Sequence, residues 1–357
     1  RHFNKALLIS DAALDGCGVV SKIKKVLDDA DIPYEIDLDV KPNPTIENVH
    51  AGLLLLKKSG ADFIIAVGGG CVIDTSKAVA VIAANPENED VVSLEGMDKS
   101  TNVPLPLLAV PTTAGTGSET TMDYVITNTE EKRKMACMDS LVVPVAAFLD
   151  TEIMATLPLK LTAATAMDAL THAIEAYVST AANPLTDAAA LMAITMITQY
   201  LPKAVANGVY MKARDKMAYG QYLAGIAFNN ASLGYVHAMA HQLGGMYNLP
   251  HGVCNAILLP HVEEFNLIGN ANRFRDIAKA MGEITEGLSM MDAARKAIAA
   301  IRQLSSQVGI PERLRDLGVK EEDFAVMAEN AMKDVCSVTN PRKATKEQII
   351  GVFKAAY

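Results

Sequence analysis

The sequence has no tryptophan, and its five cysteines are an odd number without a Cys-x-x-Cys pair. Widely spaced cysteines of this kind do not indicate a disulfide framework, and they are typical of reduced thiols in a cytoplasmic protein. No run of about 18 or more apolar residues occurs, so the sequence predicts no membrane span. The amino-terminal segment, RHFNKALLIS, has too short an apolar run for a signal peptide.

An excess of basic residues is also missing. Lys and Arg number 32 against 41 Asp and Glu, and the resulting net charge of -9 argues against nucleic acid as a partner. Half of the residues (50%) are hydrophobic, so a chain of 357 residues can bury a large core and is expected to form two domains. These numbers favour a large globular protein without a nucleic-acid or membrane partner.

Strand-like and helix-like patterns alternate over the first 150 residues. The strand candidates are KALLIS (5–10), YEIDLD (34–39), DFIIAV (62–67), LPLLAV (105–110), YVITN (124–128) and AAFLD (146–150), and helical periods cover 19–27, 45–59 and 73–84. This alternation predicts a parallel, doubly wound sheet. After about Leu157, Ala-, Met- and Leu-rich helical periods dominate, and turn signals divide them into about nine helices. We therefore expect an α/β domain over residues 1–157 and an all-helical domain over 158–357.

Histidines are concentrated in the helical half. His237 and His241 stand four residues apart in GYVHAMAHQLGG, and Asp168 and His172 have the same spacing in ATAMDALTHAIEAY. An i, i+4 pair on a helix directs both side chains to one face. With His251 in LPHG, these pairs can converge on one divalent metal, and three imidazoles with one carboxylate suit iron(II) or zinc. A single buried histidine is more often a core residue than a ligand, but two matched pairs in apolar helices favour a metal site.

Two glycine-containing loops follow buried strand candidates. Gly68, Gly69 and Gly70 come directly after DFIIAV, where the backbone can approach a diphosphate at a helix amino terminus. The alternative is a tight turn that binds nothing. The loop PTTAGTGSETT (111–121) follows LPLLAV, and two such loops at the carboxyl ends of strands place a ligand in the crevice there. Asp11 ends the first strand candidate, where it can bond an adenosine ribose or, equally, cap a helix.

These segments resemble the iron-dependent (group III) alcohol dehydrogenases. VGGGCVIDTSKA is similar to the family's glycine-rich loop, and PTTAGTGSE matches its second cofactor loop almost letter for letter. The segments MDALTHAIEAY, GYVHAMAHQLGG, LPHGV and LLPH match its metal region, and the likeness runs through essentially all 357 residues. The resemblance implies hydride transfer between NAD(H) and a short-chain primary alcohol or diol and its aldehyde. It also implies Fe2+, with Zn2+ as the alternative, in a cytoplasmic homo-oligomer of two or more copies.

The resemblance assigns roles residue by residue. It implies four metal ligands, Asp168, His172, His237 and His251, and leaves His241 in the site as the catalytic proton carrier and not a ligand. Ten residues are assigned to NAD and three to the substrate pocket: for NAD, Asp11, Asn43, Gly69, Gly70, Cys71, Thr112, Thr113, Thr116, Val125 and Lys134; for the pocket, Asp123, Phe228 and Cys336. The amino-terminal domain then binds the dinucleotide, and the helical domain holds metal and substrate.

The chain departs from the family pattern at two points. Cys71 stands where the family usually carries serine, which predicts a weaker contact to the phosphate. The family also begins with an extra strand before the segment that matches KALLIS, so the sequence is expected to be a partial record. In some relatives that strand joins two subunits.

Several other polar residues are expected outside the ligand set. Glu175 follows Asp168 by seven residues on the same helix face, and we expect an ordinary helix carboxylate. His261 is expected to be structural or to lie behind the ligands, and His2 and His50 to lie at the surface.

Three other functions stay open. They are a related zinc polyol dehydrogenase or dehydroquinate-synthase-like lyase, an inactive nucleotide- or metal-binding protein, and a structural metal site in an enzyme with other chemistry. Three histidines with Asp168 and a Pro-His-Gly loop favour the alcohol dehydrogenase. The apolar surroundings expected around Phe228 and Cys336 suit short alcohols, without a charged residue to select an acid group.

Overall fold

The structure, a computed structural model, describes residues 3–131 and 133–357, and His2 lies outside the described residues. The chain divides into two compact units. The first runs to Thr113 and continues over Gly117–Thr156, and the second comprises Ala114–Thr116 and Leu157–Tyr357. Three residues of the second glycine-containing loop therefore group with the helical unit.

The first unit is built on a parallel sheet. Its strands are β1 Ala6–Ile9, β2 Tyr34–Asp37, β3 Phe63–Gly68, β4 Gly96–Met97, β5 Leu107–Pro111, β6 Asp123–Asn128, β7 Arg133–Met138 and β8 Ala146–Ala147. Its helices are α1 Ala12–Gly16, α2 Val19–Asp29, α3 Ile46–Ser59, α4 Gly70–Ala84 and α5 Thr151–Met154. Five strands pair in parallel in the order β2-β1-β3-β5-β8.

Apolar side chains cover both faces of this sheet. Successive residues of β1 alternate between them, because neighbouring side chains of a strand point to opposite sides. Leu7 and Ile9 pack with residues of α3 and α4, whereas Ala6 and Leu8 pack with residues of α2. The parallel, doubly wound sheet predicted from the alternating pattern is thereby confirmed.

The strand predicted at YVITN forms, but its expected place in the parallel sheet was wrong. β6 pairs antiparallel with β7, from Asp123 opposite Met138 to Asn128 opposite Arg133, in a separate sheet of order β4-β7-β6. β7 was not predicted. Only Met135 and Cys137 of that strand are buried, and the apolar but exposed Ala136 between them hides the alternation that marks a strand.

The second unit consists of nine α-helices around one core. They are α6 Leu159–Val178, α7 Pro184–Ala206, α8 Met211–Ala231, α9 Tyr235–Tyr247, α10 His251–Asn266, α11 Ala271–Ala280, α12 Met290–Gln307, α13 Phe324–Lys333 and α14 Lys346–Ala355. Every residue of α6 from Ala166 to Val178 is buried, so this helix runs through the middle of the unit. The all-helical second half is confirmed.

In the described part of the chain, α7 is the one helix that is long and apolar enough to cross a membrane by length and composition. It packs against α6 and α8. Ala193, Ile194 and Ile197 of α7 are fully buried in the core of the unit. α7 is accordingly a core helix of the second unit.

Candidate metal centre

Three helices of the second unit bring together four of the predicted metal ligands. Asp168 and His172 lie on successive turns of α6, His237 lies in the first turn of α9, and His251 is the first residue of α10. Gly252 allows α10 to approach α6 closely. A Cβ atom at this glycine would lie 2.3 Å from the carbonyl oxygen of Ala164 and 3.3 Å from Cβ of Asp168.

Ligand atoms of three of these residues converge. The Oδ1 atom of Asp168 lies 3.9 Å from Nε2 of His237 and 3.6 Å from Nε2 of His251, and one ligand atom from each of the three lies within 4.8 Å of the others. A tetrahedral ion with ligands at about 2.1 Å would separate them by about 3.4 Å. A small inward movement of the three side chains would therefore bring their ligand atoms to the spacing of a coordination shell.

His172 lies beside these three ligand atoms and not among them. Its ring stacks on that of His237 with the centroids 4.6 Å apart, and on Phe228 at 4.3 Å. Burial lowers the pKa of His172, although the Asp168 carboxylate and the Gly115 backbone oppose this shift. The structure thus places the fourth predicted ligand and one predicted pocket residue side by side.

The surroundings of the two buried imidazoles, His172 and His237, favour their neutral forms. Burial lowers the pKa of His237 well below its usual range, and the neighbouring His172, His251 and His241 lower it further. A neutral imidazole has the free nitrogen lone pair that a metal requires, whereas a protonated one has none.

Asn255 shows that these residues fit a cation. Its Nδ2 atom lies 2.6 Å from Oδ1 of Asp168, 3.0 Å from Nε2 of His237 and 3.1 Å from Nε2 of His251, while its Oδ1 is buried without a partner in the described structure. An amide nitrogen carries two protons and cannot satisfy three acceptors. A divalent metal can bind all three acceptor atoms, whereas the amide nitrogen has protons for only two of them.

His241 lies next to this group. Its ring stacks on that of His251 at 5.5 Å and lies 6.2 Å from that of His237. Its Nδ1 atom is 2.8 Å from Oδ2 of Asp334, and one third (33%) of its side chain is exposed. Burial raises the pKa of Asp334, but the hydrogen bond and charge interaction with His241, together with the hydrogen bonds from Cys336, leave it lowered. A partly exposed imidazole oriented by a carboxylate can carry protons.

The three predicted pocket residues belong to different parts of the chain. Cys336 lies near His241 and Asp334, with one potential ligand atom from each of the three within 4.8 Å of the others, and Phe228 stacks on His172. Asp123 belongs to the first unit, where it begins β6. Its assignment to a pocket with the other two stays a prediction.

The two predicted cofactor loops abut in the first unit. Gly69 is the N-cap of α4, and a Cβ atom there would lie 3.1 Å from Cγ2 of Thr113. The backbone N–H of Thr112 donates to the carbonyl oxygen of Gly68 at 3.1 Å. A side chain at Gly69 would press against Thr113, and both loops lie at the carboxyl ends of neighbouring strands, β3 and β5.

Two further residues assigned to NAD, Gly70 and Cys71, lie at the start of α4. Cys71 is the second residue of this helix, after Gly70. Burial raises the pKa of the Cys71 thiol, and the backbone of Asn43 and the Lys134 ammonium oppose this shift. Lys134 is exposed on β7, so its charge is available to an anionic ligand.

Asp11 caps a helix, which was one of its two predicted roles. Its Oδ1 accepts from the N–H groups of Ala13 and Leu14, both at 2.9 Å, at the start of α1. A cavity of about 410 Å³ lies near this end of the sheet, and its walls include Asp37 and Asp39. A contact between Asp11 and a ribose stays a prediction.

The families that this chain matches are consistent with a metal centre at this site. The family described as "Iron-containing alcohol dehydrogenase" matches residues 1–151, and that described as "Fe-containing alcohol dehydrogenase family, C-terminal" matches residues 162–357. The chain belongs to the iron-containing alcohol dehydrogenase family. As a member of this family it is an oxidoreductase.

Three relatives illustrate the family likeness. The 1,3-propanediol dehydrogenase of Klebsiella pneumoniae is 50% identical, covering 99% of this chain and 91% of the relative. The lactaldehyde reductase of Escherichia coli K12 is 47% identical, covering 100% and 93%. The NAD-dependent methanol dehydrogenase of Bacillus methanolicus is 44% identical, covering 99% and 92%. The crystal structure of a 1,3-propanediol oxidoreductase, 50% identical, has a TM-score of 0.97 and covers 99% of this chain and 92% of the other.

The structure contradicts the expectation that Glu175 is an ordinary helix carboxylate. The side chain is not an ordinary helix carboxylate, because it is 1% exposed and its Oε2 lies 2.5 Å from Nδ1 of His237. A solvent-facing helix would have left it free, but α6 is buried on all sides from Ala166 to Val178. The helical spacing from Asp168 was the available signal. Sequence reasoning missed Asn255 and Asp334 altogether.

Two charged residues of α4 were also missed. Asp74 accepts from Ser118 Oγ at 2.6 Å and from the N–H of Val125 at 3.0 Å. Lys77 is fully buried, and its Nζ donates to the carbonyl oxygens of Thr121 and Asp123, both at 2.7 Å. Burial lowers the pKa of Lys77 to about 8. Through these contacts, Asp74 and Lys77 connect the end of the second cofactor loop to α4, the helix that follows the first cofactor loop.

His261 and His50 lie away from the ligand atoms. His261 is ten residues beyond His251 on α10, about 15 Å along the helix axis. It lines a separate cavity of about 320 Å³, and burial lowers its pKa to about 4. His50 is exposed.

Proposed function

We propose that the chain is an NAD-dependent dehydrogenase that interconverts a short-chain primary alcohol or diol and its aldehyde. The metal would be held by Asp168, His172, His237 and His251. The observation that carries this proposal is the convergence of three ligand atoms within 4.8 Å around the amide of Asn255. Iron is the expected ion, because the family is iron-containing, and zinc is the alternative with the same ligands.

The chemistry divides between the bound groups and the protein. When bound, the metal supplies a Lewis acid for the substrate oxygen, and NAD supplies or accepts the hydride. The Phe228 ring beside His172 provides an apolar surface for a short alkyl chain. His241 handles the proton. Because its Nδ1 is bound to Asp334, its Nε2 is the atom that takes a proton on alcohol oxidation, directly or through the cofactor ribose.

Several observations support NAD as the cofactor. Gly69 and Gly70 stand at the amino terminus of α4, where backbone N–H groups and the helix dipole favour a diphosphate. The second loop abuts the first through Thr113, and the Lys134 ammonium adds positive charge nearby. One relative is NAD-dependent by name, and the other relatives' names indicate lactaldehyde and 1,3-propanediol as the class of substrate.

A metal analysis combined with activity assays tests this function. Freshly purified protein is analysed for iron and zinc, and NADH formation is followed with ethanol, butanol, 1,2-propanediol, 1,3-propanediol and glycerol. We expect one metal ion per chain and faster turnover with the short alcohols or diols than with glycerol. Metal-loaded protein that forms no NADH from any of them would refute the proposal. Light scattering on the same sample tests the expected homo-oligomer.

A further inference from the structure

The helix that carries His237 starts without a cap of its own. Gly234 is the N-cap of α9 and has no side chain, although the first N–H groups of any helix need partners outside it. Two buried side chains from distant parts of the chain supply them. The N–H of Val236 donates to Oε1 of Glu175 at 2.7 Å, and the N–H of Tyr235 donates to Oδ1 of Asn340 at 3.1 Å.

The second oxygen of Glu175 contacts the ligand itself. Its Oε2 lies 2.5 Å from Nδ1 of His237, and both residues are 1% exposed. Burial and the neighbouring Glu263 raise the pKa of Glu175, and the backbone N–H groups of Val236, Gly234 and His237 oppose this shift. An ionised Glu175 only accepts hydrogen bonds, so Nδ1 of His237 then carries the proton and Nε2 keeps its lone pair. That Nε2 is the atom that faces Asp168 at 3.9 Å. One carboxylate therefore fixes both the start of α9 and the tautomer of its ligand.

Gly234 leaves room for this carboxylate beside the start of α9. A Cβ atom at Gly234 would lie 2.8 Å from Oε1 of Glu175 and 2.8 Å from Oδ1 of Asn340, so only glycine lets the chain pass. Asn340 is itself held by Asn266, with contacts of 2.8 and 3.1 Å between their amides. Both are 1% exposed. Asn266 therefore holds Asn340, the second capping side chain, in place.

We propose that Glu175 is a positioning residue of the metal centre, which sets His237 as a ligand through Nε2 without touching metal or substrate. This inference rests on the proposed ligand set. Carboxylates behind a ligating histidine orient the ring and fix its tautomer, and their loss weakens metal binding roughly 10- to 100-fold. Glu175 is therefore expected to determine metal affinity as well as turnover.

The isosteric substitution Glu175→Gln separates this role from simple filling of space. A glutamine has one acceptor oxygen and one donor NH2, whereas the site presents N–H donors on both sides. If the oxygen faces Val236, the NH2 faces Nδ1 of His237 and moves the ring proton to Nε2, which then cannot ligate. If the oxygen faces His237, the NH2 opposes the N–H of Val236 and the helix cap is lost.

The experiment measures cobalt binding to the metal-free protein. Co2+ affinity is determined by competition with a chelator, and the visible absorption of the bound Co2+ reports its coordination. We expect Glu175→Gln to bind Co2+ roughly 10- to 100-fold more weakly and with an altered spectrum. The comparison variant is Glu263→Gln, because Glu263 is a fully buried carboxylate that contacts Asn266 and no ligand. Its charge raises the pKa of Glu175, but its replacement leaves the contact between Glu175 and His237 in place, so it should keep the parent spectrum. Parent-like affinity and spectrum in a folded Glu175→Gln protein would overturn the proposal.

A measurement on the parent protein covers the case in which Glu175→Gln does not fold. With 15N-labelled histidine and bound Zn2+, His237 should show a protonated Nδ1 that is protected from exchange, and metal-shifted Nε2. Ligation through Nδ1 would contradict the inference. Neither measurement requires NAD or alcohol, so a protein that binds Co2+ as expected but oxidises no alcohol would refute the proposed function and leave the role of Glu175 standing.

Discussion

His241 and Asp334 connect α9 to the segment that follows α13. Nδ1 of His241 lies 2.8 Å from Oδ2 of Asp334, whose other oxygen accepts from the N–H of Cys336 at 2.9 Å. The carboxylate therefore holds the ring in one orientation, with Nε2 available. Nδ1 of His237 faces a carboxylate too, that of Glu175, but the His237 side chain is 2% exposed against 33% for His241.

Replacing His241 with alanine should separate proton transfer from metal binding. We expect His241→Ala to keep its metal and to lose turnover by a factor on the order of 100 to 10,000, the usual contribution of a general acid or base. Asp334→Asn should lose less, because the imidazole remains. Metal content and kcat are measured on both variants. A metal-free His241→Ala protein would make His241 a ligand.

Replacing His251 with alanine should remove the metal. Three remaining ligands hold a divalent ion less well than four, so we expect loss of bound metal and of activity, with the helical unit still folded. His261→Ala is the control on the same helix, and it should keep both, since that side chain lies elsewhere along α10. Metal analysis and circular dichroism check this. Full occupancy in His251→Ala would remove His251 from the ligand set.

Local spacing in the sequence was enough to predict the main elements of the site. The pairs Asp168/His172 and His237/His241 each stand one helical turn apart, and the structure places both pairs on α-helices as expected. Gly69 follows a buried strand and begins a helix, as the loop pattern indicated. Periodicity of this kind is visible in a single sequence because it reflects local geometry.

Contacts between distant segments could not be predicted in this way. Glu175 and His237 are 62 residues apart, and His241 and Asp334 are 93 apart. The sequence around each carboxylate does not show which distant residue it contacts, because only tertiary packing brings the two together. Lys77 shows the same problem, because a lysine in an apolar helix is usually exposed, yet here it is fully buried.

Asp11 is predicted to select NAD over NADP. A carboxylate accepts hydrogen bonds from ribose hydroxyls and repels a 2′-phosphate, so removing its charge should raise the activity ratio of NADP to NAD. Asp11→Asn is the sharper test, because asparagine caps a helix as well as aspartate does and keeps α1 intact. The ratio of kcat/KM for the two cofactors is measured. The control is Asp150→Asn, which changes a cap of the same kind at the start of α5.

An unchanged cofactor ratio in Asp11→Asn would leave Asp11 with its capping role alone. A parent enzyme that already prefers NADP would lead to the same conclusion. A similar change in ratio in Asp150→Asn would show that the effect comes from loss of charge in general.

Gly252 is predicted to set the distance between α10 and α6, and with it the position of His251. A methyl group at this glycine would lie 2.3 Å from the carbonyl oxygen of Ala164, which is backbone and cannot move aside alone. We expect Gly252→Ala to push α10 away from Asp168, weaken metal binding and lower the free energy of unfolding by about 1–3 kcal/mol, as overpacking usually does. Metal affinity and denaturant unfolding are measured on the metal-free protein.

Gly245→Ala provides the matched control for Gly252→Ala. Gly245 is an exposed residue inside α9, and a Cβ atom there meets nothing within 4 Å. Because alanine is favoured over glycine within a helix by about 0.5–1 kcal/mol, this variant should be slightly more stable than the parent and bind metal equally well. If Gly252→Ala behaves like Gly245→Ala, α10 tolerates the extra methyl group and the close approach of the two helices does not position His251.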